Sequence, residues 1–178
     1  NHMKPKLLKL TLTIVIYFFS LGFSYSSENQ SKFISIIDEY KNKYSPNSNE
    51  LKTNKLLIDR DNKLCNEISL SVNNWIGKIK SIDTNMEGKG ILAVIIDKGI
   101  FIETWNNAFS DLMDNTLIEV DSKVYNQLME FNNNQQIKFS GSFISNSNGC
   151  FRLQNLSKKS KLTKPTFTFK FSDVKRMD

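Results

Sequence analysis

The stretch Ile91–Trp105, ILAVIIDKGIFIETW, decides the fold. It contains two runs rich in β-branched and aromatic residues, which flank Asp97, Lys98 and Gly99. Runs of this kind form strands, and a glycine between them supplies the positive φ angle that a three-residue hairpin loop requires. The stretch therefore predicts two antiparallel strands joined by a tight turn, with a loop beginning after Trp105.

Period-two alternation continues on both sides of this hairpin. Upstream, VNNWIGKIKSID alternates Trp75, Gly77 and Ile79 with residues of the other face, and Gly77 would let the strand bend or let another backbone approach. Downstream, QIKFSGSFIS, CFRLQNL and TFTFKFSDV read as strands, the last with three phenylalanines on one face. Five or six strands are therefore predicted in this half of the chain.

Helical periodicity marks three other segments. KFISIIDEYKNKY predicts an amphipathic helix, and a second helix follows over about Glu50–Ile68, after the loop at Pro46. A third helix is predicted in DSKVYNQLMEF, capped by Asp121 or Ser122. It lies between the third and fourth strands.

This order of elements predicts a mainly β (α+β) fold. Three strands, a helix and then closing strands is the order of an OB-type barrel, in which the helix closes one end. We therefore expect an OB-like antiparallel barrel of five to six strands over residues 71–178, with its helix between strands 3 and 4. Two N-terminal helices form an extension over residues 27–70.

Residues 1–26 have the layout of a secretory signal peptide. The first three residues, NHM, are typical of those left by an expression vector. They are followed by three lysines, the apolar run LTLTIVIYFFSLGF and the small residues Ser24 and Ser26. The run has 14 residues, fewer than the roughly 20 that span a bilayer. We expect a periplasmic or secreted protein, cleaved near Ser26 and without a stable membrane span afterwards. The alternative is a retained anchor.

Charge and histidine content limit the possible functions. Three of the 24 Lys and Arg residues lie in the leader and none of the 18 acidic residues does, so 21 basic residues would remain against 18 acidic ones. This excess is only a weak indication of nucleic-acid or anionic-membrane binding.

The only histidine is His2, within the vector-like NHM. Histidine-dependent catalytic triads and histidine-based zinc sites are therefore excluded.

Cys65 and Cys150 are the only cysteines. In an oxidising compartment an even pair predicts one disulfide. It would close a loop of 85 residues and stabilise the fold by about 4 kcal/mol in the chain-entropy model. It would also attach the helical extension to a late strand of the barrel. The alternative is two buried free thiols.

Several short motifs lie along the strand-rich half of the chain. They are WIG at Trp75–Gly77, TWNN at Thr104–Asn107, SD at Ser110–Asp111, TLI at Thr116–Ile118, FSG at Phe139–Gly141 and the strand Pro165–Asp173. Through them, residues 72–176 resemble a group of small exported and prophage-associated bacterial proteins of unknown function. The resemblance implies an OB-like fold and no particular activity. More distantly, the region is similar to bacterial OB-fold families named after tRNA-anticodon-binding domains, a name that records fold alone.

The stretch WNNAFSD, which follows the hairpin, is the first candidate binding site. Trp105 can stack on a ligand, while Asn106, Asn107 and Asp111 carry hydrogen-bonding groups beside the face that OB folds use. The alternative is structural: Trp105 shares the parity of Phe101 and packs inward, and the polar residues hold a turn. Both interpretations stay open at this stage.

A second candidate site is a set of basic and aromatic side chains on the predicted strands. Such sets hold single-stranded nucleic acid by charge and base stacking, although lysines also protect ordinary strand edges. The set consists of Lys78, Lys80, Lys138, Arg152 and Lys170, with Phe143 and Phe151.

Carboxylates and a lysine run complete the candidates. Paired carboxylates could hydrolyse glycosides, but no spacing singles out a pair or a calcium loop among the acids. The lysine run Ser157–Lys164 is interpreted as a solvated loop. The acids are Glu103, Asp111, Asp114, Glu119 and Asp121.

These observations favour an exported, non-enzymatic binding module that needs no cofactor or metal. Its expected partner is a protein or a cell-envelope component, engaged through the region around Trp105 and Asp111 or through the helical extension. The alternative is an OB module that binds single-stranded oligonucleotide or oligosaccharide; nucleic acid is the less favoured partner because export is expected. A carboxylate-dependent hydrolase is the third hypothesis.

Overall fold

The computed structural model describes residues 27–148 and 150–177, so the predicted leader, residues 1–26, lies outside the described residues. Within the described residues the fold is α+β, with five helices and five strands. The helices are α1 Glu28–Lys43, α2 Glu50–Glu67, α3 Ala108–Asp111, α4 Lys123–Leu128 and α5 Lys158–Thr163. The strands are β1 Ser71–Thr84, β2 Gly90–Asp97, β3 Ile100–Glu103, β4 Gln136–Phe143 and β5 Thr166–Arg176.

The five strands form one mixed sheet that closes on itself in the order β1-β2-β3-β5-β4. The prediction of an entirely antiparallel sheet is wrong, because β3 pairs with β5 in parallel from Phe101 to Glu103. Only strands joined by a hairpin must run antiparallel, and β3 and β5 are separated by β4. Mainly β also describes the fold only in part, since α1 and α2 are long.

The predicted strand faces are confirmed. Trp75, Gly77 and Ile79 point into the buried side of β1. A Cβ added to Gly77 would clash with Cγ1 of Val94 and would lie 3.1 Å from the carbonyl oxygen of Ile95, so β2 approaches this glycine closely. The β2–β3 hairpin turns through two residues, one fewer than predicted, and Gly99 has a φ of 78°.

Two shorter predictions need correction. CFRLQNL forms only isolated bridges through Phe151 and Leu153 rather than a strand. The lysine run Ser157–Lys164 contains the helix α5, which Ser157 caps, instead of an open loop. The helix forms because Leu162 has an apolar site to fill and is fully buried.

The hydrophobic core extends from the ring into the helical layer. Phe33 of α1 is completely buried, and its ring centroid lies 5.0–5.8 Å from the centroids of Trp75, Phe143, Phe151 and Phe167. Aromatic pairs at such distances add stability beyond the area that they bury. The predicted boundary at residue 70 falls between α2 and β1, and one cluster of buried residues includes side chains from both parts.

A pair of side-chain hydrogen bonds and a disulfide also join the helices to the strand-rich part of the fold. The Gln30 side chain donates to the Ile76 carbonyl at 2.6 Å and accepts from the Ile76 N–H at 2.8 Å, as a neighbouring strand would. The predicted disulfide between Cys65 and Cys150 is confirmed, with Cα atoms 5.4 Å apart. No helix in the described ranges is long and apolar enough to cross a membrane.

Candidate partner-binding site

Asp111 fixes the segment that connects β3 to α4. Its buried carboxylate accepts hydrogen bonds from the Thr116 N–H at 2.5 Å, the Thr116 hydroxyl at 2.7 Å and the Leu117 N–H at 3.0 Å. Asn107 caps the single turn of α3 by accepting from the Ser110 N–H at 2.9 Å. Charge-assisted bonds of this kind are strong inside a protein, so the segment is held at both ends.

Trp105 is half-buried and forms part of the same framework. Its indole Nε1–H donates to Asp114 at 2.7 Å, and its backbone N–H donates to the Thr116 hydroxyl at 2.8 Å. Arg152 completes the cluster, because its Nη1 donates to both oxygens of Asp114 at 2.7 and 2.5 Å. The aromatic ring is therefore anchored through its polar edge.

The same segment exposes large apolar side chains. Phe109, Leu112 and Met113 have 89%, 73% and 84% of their surface exposed. Met86 in the β1–β2 turn is fully exposed and lines, with Phe109, a groove of about 500 Å³. We call these four residues the exposed apolar cluster. Here the carboxylate points inward and the apolar groups point outward, the reverse of an ordinary surface helix.

The structure brings together five of the predicted site residues. Trp105, Asn106, Asn107 and Asp111 lie on this segment, and Arg152 reaches it through Asp114. Their hydrogen bonds are with one another, with the side chains of Asp114 and Thr116 and with nearby backbone. They form the framework behind the exposed apolar cluster.

The other predicted site residues lie elsewhere. Lys78 is exposed on β1 and is paired in register with Ile95, whereas Lys138 lies on β4 opposite Ile76. Phe143 is only 3% exposed, inside the aromatic core. A molecule on the protein surface therefore cannot contact Phe143.

Four of the five candidate carboxylates, all except Asp121, are engaged by other groups. Glu103 pairs with Lys80 at 3.0 Å. Glu119 pairs with Lys89 at 2.7 Å, and its hydrogen bond raises the pKa of that ammonium group. Among the described residues, no three His, Cys, Asp or Glu side chains are grouped in a way that could hold a metal ion.

Sequence reasoning does not find the exposed apolar cluster. Phe109, Leu112 and Met113 have i, i+3, i+4 spacing, which normally indicates a buried helical face. The one available signal is the shortness of the apolar pattern, which extends over a single helical turn between Asn107 and Asp114.

Comparisons of the chain with protein-family models, with curated proteins and with solved structures found no match. The function proposed below rests on the contacts and exposures of this chain's own residues.

Proposed function

We propose that this protein is an exported, non-enzymatic binding module with an OB-like barrel, and that its exposed apolar cluster binds a protein partner in the cell envelope. The observation that carries this proposal is the reversed polarity of the segment between β3 and α4. That segment buries the carboxylate of Asp111 and leaves Phe109, Leu112 and Met113 in solvent. Contiguous exposed apolar side chains are typical of interaction surfaces.

The free energy of binding should be favourable here, because the segment is already ordered before a partner arrives. Full burial of a Phe, Leu or Met side chain contributes roughly 1.5–3 kcal/mol. The hydrogen bonds of Asp111 and the cap at Asn107 already order the backbone that presents these side chains. Association therefore loses little loop entropy, and aromatic and methionine side chains are enriched at protein interfaces.

The strand order supports the OB-like assignment. Along the chain, three strands, the helix α4 and two further strands follow the order that the sequence predicts for such a barrel, and the five strands close into the ring β1-β2-β3-β5-β4. Val124 and Leu128 of α4 are buried in the core, as the closing helix of a barrel requires. The resemblance to small exported and prophage-associated proteins stays a prediction.

The disulfide supports an oxidising location. Bonds such as Cys65–Cys150 persist in periplasmic or extracellular proteins and are rare in the cytosol. Export is therefore proposed, although the leader from which it is inferred lies outside the described residues.

The geometry also ranks the two alternatives. The proposed oligonucleotide set is dispersed, because Phe143 is buried and Arg152 is held by Asp114. Base stacking on Phe143 would require the core to open. For a carboxylate hydrolase, Glu103 and Asp114 are both engaged by cations, which leaves neither as a ready general base.

Affinity capture from envelope extract tests the proposal. The bait is the oxidised protein, compared with the double variant Phe109→Ser/Met113→Ser and with the control Leu51→Ser. Leu51 is 83% exposed on α2, so the control removes a comparable apolar side chain elsewhere. A specific protein should be retained by the wild type and the control and lost with the double variant. Equal recovery with all three baits would contradict the proposal.

A further inference from the structure

A second concave surface lies where β1, β4 and the end of β5 meet the start of α1. It is open to solvent and has a volume of about 740 Å³. We call it the basic cleft; no carboxylate and no aromatic ring is among its described lining residues, which are Ser27, Asn73, Asn74, Ile76, Lys138, Lys175 and Arg176.

Two lysines of the basic cleft face each other across a strand pair. Lys138 on β4 is directly opposite Lys175 on β5, a like-charge arrangement that disfavours the folded sheet. Lys138 is half-buried, and within the described ranges it has neither an ion pair nor a hydrogen bond through its ammonium group. Its charge is therefore balanced by no side chain among the described residues.

The nearest acid does not neutralise the basic cleft. Asp173 pairs with Lys175 at 2.8 Å, but it also pairs with Lys123 at 2.7 Å. Hydrogen bonds from these two lysines, Lys123 first, and then from Gln127 hold the pKa of this carboxyl well below its ordinary range. One carboxylate is thus shared by two lysines, and Lys138 adds further positive charge. Arg176 also lines the cleft, although its guanidinium donates to the Glu130 carbonyl at 3.0 Å and lies over the Phe131 ring.

Backbone geometry directs two carboxamides to the same place. The register of β1 shifts between Val72 and Trp75, and within this bulge Asn74 has a φ of 53°. Its backbone N–H donates to the Ser140 hydroxyl at 3.0 Å, which holds the bulge against β4. The carboxamides of Asn73 and Asn74 are exposed and unpartnered within the described residues. Bulges commonly re-aim side chains beside functional sites.

We propose that the basic cleft binds a phosphate-bearing group with hydroxyl substituents. Ammonium and guanidinium groups donate strong hydrogen bonds to phosphate oxygens. Carboxamides both donate and accept, which suits hydroxyl groups. The cleft has the size of small-molecule sites, roughly 300–1,000 Å³. Without an aromatic platform for bases, a phosphorylated headgroup or small molecule fits better than an oligonucleotide.

Three probes distinguish the source of the phosphate. Glycerol 3-phosphate, measured by calorimetry, represents a free ligand. Vesicles of phosphatidylglycerol in phosphatidylcholine, compared with phosphatidylcholine alone in a flotation assay, represent a lipid headgroup. A single-stranded deoxyoligonucleotide represents the competing macromolecule. Binding of the first or the second probe supports the proposal and identifies the source; binding of the oligonucleotide alone would overturn it.

Matched variants locate the site. Lys138→Gln should weaken binding at least about tenfold, since it removes the uncompensated charge that approaches the phosphate. Asn74→Gly should also weaken binding while the fold is kept, because glycine adopts the same positive φ without strain. Lys52→Gln is the control: Lys52 is exposed on α2 and its loss lowers the net charge equally. Equal weakening by the control, or no binding of either phosphate probe, would refute the site.

Discussion

The interior of the ring and the segment between β3 and α4 use their side chains in opposite ways. In the core that the ring shares with α1, Phe33 is completely buried among aromatic rings. In the segment, the buried side chain is the carboxylate of Asp111, while Phe109 is 89% exposed. Burial of apolar surface is the main source of stability. The segment therefore has a fixed shape but leaves its apolar side chains unburied. This combination is expected of a surface that a partner covers.

Phe33→Ala is expected to produce the largest loss of stability. Removal of a fully buried phenylalanine typically costs about 3–5 kcal/mol, and this ring of α1 packs against Trp75, Phe143 and Phe167 of the sheet. Urea unfolding of the oxidised protein measures the loss. Leu51→Ala, at an exposed position of α2, should change the free energy of unfolding by less than about 0.5 kcal/mol. Similar losses for both variants would mean that the helical layer does not share the core of the ring.

Asp111→Asn is expected to have the next largest effect. Asparagine keeps the shape but replaces one acceptor oxygen with a donor, which leaves an N–H of Thr116 or Leu117 unpaired. We expect a loss of about 1–3 kcal/mol and faster amide exchange in residues 112–117. Unchanged exchange there would show that the carboxylate does not hold the segment.

Phe109→Ser should leave stability almost unchanged. An exposed side chain contributes little to the free energy of unfolding, so the change should stay within about 0.5 kcal/mol. Thermal and urea unfolding check this value, with Phe33→Ala as the contrasting phenylalanine. A loss of more than about 2 kcal/mol would mean that Phe109 is buried in solution.

A small, pH-dependent effect on stability is expected at Glu39, which lies at the contact between α1 and α2. Its carboxylate accepts from Lys43 at 2.6 Å and from Lys63 at 2.7 Å, which lowers its pKa from 4.5 to about 2. Because the folded pKa is the lower one, the stabilisation is present above about pH 4.5 and is lost as the pH falls towards 2.

Glu39→Gln tests this pH dependence. The wild type should be slightly more stable than the variant near neutral pH, and the difference should shrink through that window. The effect is small because both ion pairs are exposed to solvent. A difference that stays constant from neutral pH to pH 2.5 would exclude this titration as its source.

The sequence predicts the secondary-structure elements better than it predicts how the strands pair or which side chains form a binding surface. Period-two alternation identifies the buried faces of β1 and β5, because the side-chain direction of a strand is fixed by its pleat. The parallel contact of β3 with β5 depends on long-range closure, which no local pattern encodes. The sequence also identifies the segment around Asp111 as a candidate binding site, but it does not show which residues of that segment face solvent.

There is a physical reason why the sequence does not show which side chains of α3 face solvent. In a helix of one turn, the side chain that points into the protein can be selected by unpaired backbone groups of the chain beyond the helix, and not only by the burial of apolar side chains. Here the N–H groups of Thr116 and Leu117 need an acceptor, and Asp111 provides it. The burial of that carboxylate turns Phe109 outward, against the ordinary rule of amphipathicity.

Site-specific photo-crosslinking tests the central claim most directly. A benzoyl-phenylalanine is placed at Phe109 or, as the control, at the equally exposed Leu51, and the oxidised protein is irradiated in envelope extract. The account predicts one discrete crosslinked protein from position 109, absent from position 51 and suppressed by Met113→Ser. The absence of a discrete product from position 109, or the same product from position 51, would contradict a partner surface at the exposed apolar cluster.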